Sequence, residues 1–203
     1  MDCNTPLEEV INRCLEIGIN CIAIADHGTV EGALKMQDIA PFSVIVAEEI
    51  ITPHGEIMGM FLKETIPSGL SVEQAISRIK AQGALVGIPH PFDIFGRIGL
   101  GEKIAEEIVE ELDFIEVFNS RSPFLRSSTK AQIFAQKHDI PGSAGSDAHT
   151  IGEIGNAYVE MAEFNDKDEF LQALAKGKIF GCKANPLAHF GSLWARLKRH
   201  PNR

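Results

Sequence analysis

The residues able to do chemistry in this sequence follow short apolar runs: Asp26 and His27, Glu49, His90, Asn119, Asp147 and His149. His27, Glu49, His90, Asp147 and His149 together offer imidazole nitrogens and carboxylate oxygens. Hard or borderline divalent cations take such donors at about 2.0–2.2 Å. The set is large enough for more than one ion, and Glu49 could bridge two. Paired ions activate a water and hold both the entering and the leaving oxygen of a phosphoryl group. Arg97 and Arg121, in the loops after His90 and Asn119, add planar bidentate donors suited to phosphate, although a surface arginine on a loop is an equal reading.

Each residue also has a plainer role. A strand-end histidine packs or caps, and Asp26 or Asp147 can cap the helix after its strand. Asp26 can equally orient a ligand from behind, as metal-bound imidazoles require. Glu48 is expected to face away from Glu49, because adjacent strand positions alternate. His54, His138 and His200 are expected in solvent, and His189 at the start of a C-terminal helix. What favours a shared site is recurrence: the polar residues occupy equivalent places on several strands.

The elements that must position them alternate in type. Thr5-Pro6-Leu7-Glu8 reads as a capping box with Thr5 as N-cap, and Leu7, Val10, Ile11, Cys14 and Leu15 keep helical spacing up to Gly18. Cys21 to Ala25 reads as a strand buried on both faces. Strands are expected at Ser43–Ala47, Glu56–Leu62, Ala84–Ile88, Phe114–Phe118, Ile140–Ser143, Ala157–Met161 and around Ile179-Phe180. Helices are expected at Ser71–Gln82, Glu102–Leu112, Thr129–His138 and Lys167–Ala175. Alternation predicts parallel strands joined by helical crossovers, whose C-terminal ends converge on one rim.

The 203 residues bound the chain to one domain, 1–203, of ordinary globular composition: 44% hydrophobic and 23% charged. With 19 basic against 28 acidic residues, the net charge of −9 argues against gripping nucleic acid by counterion release alone. It permits a phosphorylated substrate where bound cations reverse the local sign. A basic cluster (Arg196, Lys198, Arg199, His200, Arg203) is expected to be a solvated tail. Cys3, Cys14, Cys21 and Cys182 form no CxxC pair and read as reduced thiols of a cytoplasmic protein. No apolar run reaches the ~18 residues of a membrane helix, so no membrane partner is expected.

Ala23-Ile24-Ala25-Asp26-His27-Gly28-Thr29-Val30-Glu31-Gly32, Ala47-Glu48-Glu49-Ile50-Ile51-Thr52, Gly87-Ile88-Pro89-His90-Pro91 and Gly145-Ser146-Asp147-Ala148-His149-Thr150 resemble, in order, the motifs of the PHP (polymerase and histidinol phosphatase) family. The resemblance implies an α/β fold, a distorted, roughly seven-stranded, TIM-like β/α barrel. It also implies two to three divalent ions (zinc, manganese or iron) and hydrolysis of phosphoesters through a water bridging two ions. The substrate would be a small phosphomonoester, an amino-acid precursor included, or the phosphodiester of a nucleotide or short nucleic acid. By the same resemblance His27, His149 and Asp2 hold one ion, and Glu49, Glu56 and His90 another. Glu56 stands where many relatives have histidine. Asp147 belongs to a further site, Asp147 or His149 accepts the proton, and Asn119 contacts substrate.

Family members open with a strand carrying His-x-His, and this chain starts at Asp2, past that motif. Truncation of a longer protein is one expectation. The other is an incomplete metal site, leaving a non-catalytic or impaired structural or binding module. The absent strand would leave two sheet edges exposed, which dimerisation or another segment could cover.

Overall fold

The spacing of Leu7, Val10 and Cys14 produces α1 (Leu7–Ile17), which buries Val10 and Cys14 and ends at Gly18 in the left-handed conformation (φ 75°). This chain is described by a computed structural model covering residues 5–93 and 99–183. Asp2, Cys3, Arg97, His189 and the basic cluster with His200 lie outside the described residues. The N-cap of α1 is Pro6 and not Thr5, because the chain is still extended at Pro6 (ψ 139°).

The remaining elements are β1 (Cys21–His27), α2 (Glu31–Ile39), β2 (Ser43–Thr52), β3 (Gly55–Met60), α3 (Val72–Ala81), β4 (Leu85–Ile88), α4 (Glu102–Glu107), β5 (Phe114–Asn119), α5 (Leu125–His138), β6 (Gly142–Gly145), β7 (Ala157–Glu160), α6 (Lys167–Leu174) and β8 (Lys178–Gly181). α2 is absent from the sequence expectation, since its buried face consists of only Ala33 and Met36. α5 begins a turn before the expected Thr129.

Strands β1 to β6 form one sheet in chain order, curled into a half-barrel, and β7 pairs with β8 in a separate two-stranded sheet. The fold is therefore α/β, with a six-stranded main sheet in place of the roughly seven strands anticipated. The all-parallel expectation also fails at β3, which runs antiparallel to both β2 and β4. The cause is local: only Pro53 and His54 separate β2 from β3, too few residues for a crossover and enough for a hairpin.

Strand alternation sorts the core. Val46, Ile50, Ile57, Val86, Ile88, Ile115 and Val117 face the helices and pack with residues of α2, α3, α4 and α5. Ile45, Ala47, Met58, Met60, Leu85 and Phe114 face the concave side and pack with Phe170 and Leu174 of α6. β1 is an outer strand of the sheet, and none of its residues is fully buried. That corrects its reading as a strand buried on both faces: an edge strand lacks one neighbour to cover it. Among the described residues, no helix is long and apolar enough to cross a membrane.

Candidate metal centre

The concave face changes chemistry toward the strand ends. On β2 the residues sharing the face of Ile45 and Ala47 continue to Glu49, and on β3 those sharing the face of Met58 and Met60 lead back to Glu56. β1 adds His27, in register with Glu49. Because β3 is antiparallel, its first residues lie at the C-terminal end of β2, so the hairpin brings Glu56 to the rim. Apolar side chains thus fill the lower concave face and ligating ones its mouth.

His27 Nε2 lies 3.0 Å from Glu56 Oε1 and 3.4 Å from Glu49 Oε2. Glu56 Oε2 lies 3.1 Å from His90 Nε2, and the His90 side chain is buried. Ligands about 2.1 Å from a common ion are separated by about 3.0 Å along an octahedral edge and about 3.4 Å along a tetrahedral one. The observed spacings match those edges, so these donors fit a divalent cation. His27, Glu49 and Glu56 each offer an atom within 4.8 Å of the others.

His90 reaches this cluster by a backbone irregularity. Val86 and Ile88 face the helices, and continued alternation would send position 90 the same way. Instead His90 has φ 28°, a conformation that side-chain-bearing residues rarely adopt. Asp147, at φ 51°, is similarly strained. Strain of this kind persists only where surrounding contacts enforce it, and it concentrates at functional sites.

Asp147 and His149 line the same cavity, of about 1560 Å³, as His27, Glu49 and Glu116. Among the described residues they do not join the group formed by His27, Glu49 and Glu56. His149 Nδ1 lies 3.0 Å from the Asp147 carbonyl, and its backbone N–H donates to Glu153 Oε2 at 3.0 Å. Asp147 Oδ2 accepts from Asn119 Nδ2 at 3.1 Å.

Two expected substrate contacts are engaged inside the protein. Asn119 is 3% exposed; its Nδ2 donates to Glu116 and Asp147, and its Oδ1 accepts from the N–H groups of Arg121 and Ser122. Those bonds use both donors and both lone pairs of the amide. Arg121 is 5% exposed, and its Nη1 donates to Glu153 at 2.9 Å. His54 is exposed as anticipated, whereas His138 is half-buried against Phe134 and 3.1 Å from Glu106. Val30 is the N-cap residue of α2, and the Asp26 carboxylate lies against Gly32 in the first turn of that helix. Glu48 does face away from Glu49, fully buried and accepting from the Ile66 N–H.

Sequence reasoning missed Glu116, Glu153 and Asp93, all buried. Glu116 had left a signal, an acidic residue inside the otherwise apolar run Phe114-Ile115-Glu116-Val117-Phe118. Burial raises the Glu116 carboxyl above its usual range, partly offset by His90 and Asn119. At Glu56 burial also pushes upward, but the His27 hydrogen bond and the two nearby imidazoles outweigh it and hold the carboxyl well below its ordinary value.

A model of the PHP-associated family matches residues 126–179. An uncharacterized protein of Methanocaldococcus jannaschii is 42% identical over 127 residues, 60% of this chain and 52% of that relative. The chain thus spans about half the length of that curated relative. A solved structure from Bifidobacterium adolescentis, put forward as a metal-dependent phosphoesterase, overlays with a TM-score of 0.64 at 14% identity, covering 92% of this chain and 94% of that one. A two-domain protein of Bacteroides vulgatus, containing a predicted PHP-like metal-dependent phosphoesterase, overlays with a TM-score of 0.65 at 15% identity, covering 89% and 61%. At those identities the likeness is one of fold. The matched PHP-associated segment, 126–179, and the fold shared with a protein containing a predicted PHP-like phosphoesterase support the chain's resemblance to the PHP domain family.

Proposed function

We propose that the chain, acting as one domain, is a metal-dependent phosphoesterase that hydrolyses phosphomonoesters or the phosphodiesters of nucleotides and short oligonucleotides. The observation carrying this reading is the meeting of His27, Glu49 and Glu56 at spacings suited to a shared cation, with His90 beside Glu56 and with His27 and Glu49 lining the concave cavity. Zinc, manganese and iron all accept imidazole and carboxylate donors. Bound divalent cations would supply positive charge for the phosphoryl oxygens and acidify a water. His27, Glu49, Glu56 and His90 hold the cations, and Asp147 or His149 takes up the proton from the attacking water. Asn119 fixes Asp147 and Arg121 fixes Glu153, so phosphate recognition falls to the cations and to Arg97. The reduced thiols suit the cytoplasm.

The test is hydrolysis of p-nitrophenyl phosphate and of a short oligonucleotide with added manganese, zinc or iron(II), compared between the natural protein and His90→Ala. Turnover that depends on the cation and is lost in His90→Ala is the expected result. A protein that takes up ions yet turns over neither substrate overturns the proposal. A second reading, a binding module without turnover, draws on one observation: among the described residues, a single group of three ligating side chains comes together. One tightly held ion per chain favours that reading, and two or more favour the enzyme.

A further inference from the structure

Glu116 stands beneath the candidate centre at the junction of three strands. It is 7% exposed, and its Oε2 accepts from the backbone N–H of His90 at 2.7 Å and from Asn119 Nδ2 at 3.0 Å. The other Asn119 donor continues to Asp147 Oδ2 at 3.1 Å. On its far side Glu116 Oε1 presses against Gly145 of β6, where a Cβ would overlap it. One carboxylate oxygen therefore ties the segment after β4 to the end of β5 and, through Asn119, to the loop after β6. Both residues at the ends of this chain of bonds, His90 and Asp147, have positive φ, as do Phe61 and Asp139 elsewhere among the described residues.

We propose that Glu116 is a positioning residue for the metal centre: its Oε2 pins the left-handed backbone of His90, turning that imidazole off the helix-facing side and toward Glu56, while the same oxygen orients Asn119 against Asp147. The small residue at position 145 is part of the device, because only glycine leaves room for the carboxylate. This rests on the metal-site reading above. It adds that the centre is aimed by a buried acceptor that need not itself touch the cation. Both Oε2 contacts require an acceptor and not a charge, so glutamine, with its carbonyl oxygen at the same place, should substitute.

The test uses the full chain, with two readouts. In the metal-free protein, hydrogen exchange of the His90 amide should accelerate at least about tenfold in Glu116→Ala and stay near the natural rate in Glu116→Gln. In manganese titrations Glu116→Ala should weaken binding by about 10–100-fold, the range found when groups supporting metal ligands are removed, and Glu116→Gln by no more than about threefold. Should Glu116→Ala fail to fold, Gly145→Ala, which crowds the same carboxylate, should reproduce its loss of affinity. Equal losses in the Gln and Ala variants would make Glu116 a direct ligand and overturn the proposal. So would natural binding and natural His90 exchange in the Ala or Gly145→Ala protein. If the natural protein takes up no manganese, the metal-site reading falls, and the exchange comparison alone decides whether Glu116 pins His90.

Discussion

Glu56→Gln perturbs the centre at its most connected donor. The Glu56 side chain is 15% exposed and lies 3.0 Å from His27 and 3.1 Å from His90 through its two oxygens. A charge-assisted hydrogen bond contributes roughly 1.5–3 kcal/mol, and desolvation of the carboxylate takes back part of that, so the net cost of substitution in metal-free protein is roughly 1–2 kcal/mol. The pH dependence has a definite sign. A carboxyl held below its ordinary value of 4.5 contributes stability above that pH and loses it as the pH falls through the lowered value. The deficit of Glu56→Gln should thus be fully present above pH 4.5 and shrink as the pH falls below it, read from urea melts in EDTA. With manganese present, loss of a carboxylate donor should weaken binding at least about 100-fold, or about 3 kcal/mol, by calorimetry at pH 7.5. The exposed Glu110→Gln serves as control and should change neither quantity. A folded Glu56→Gln protein that binds manganese within threefold of the natural chain would refute the centre as described.

Gly87→Ala should destabilise by roughly 2–3 kcal/mol in urea melts, because the added Cβ would overlap the fully buried Phe114 ring; a loss below 0.5 kcal/mol would show that the ring has room to move. Glu48→Gln should stabilise the protein at pH 7.5, with the gain closing toward pH 4: burial raises the Glu48 carboxyl, so the native state holds its proton above pH 4.5 and loses stability as pH rises from there. A gain independent of pH in thermal melts would contradict that origin. In a Cys3→Ser background at pH 8, iodoacetamide should label exposed Cys182 first and spare Cys14 and Cys21 until unfolding. Burial pushes the Cys21 thiol up to about 11, which leaves about one part in a thousand as thiolate. Peptide mapping that finds Cys21 labelled as fast as Cys182 would contradict this.

The amino-acid sequence determined the alternation of elements and which residue types gather at strand ends, because these rest on local periodicity and on motifs contiguous in the chain. His27, Glu49 and His90 were legible for that reason, each directly after an apolar run. Tertiary structure alone decided which donors meet. The Pro53-His54 turn reverses β3 and delivers Glu56 between two histidines, whereas Asp147 and His149 share the cavity without joining the group. It also decided that Asn119 and Arg121 face inward to Asp147 and Glu153, since a hydrogen-bond partner 28 or 32 residues away leaves no trace in local spacing. The left-handed turn at His90 belongs to the same class: its local sequence permits several conformations, and a buried oxygen from another strand selects one of them.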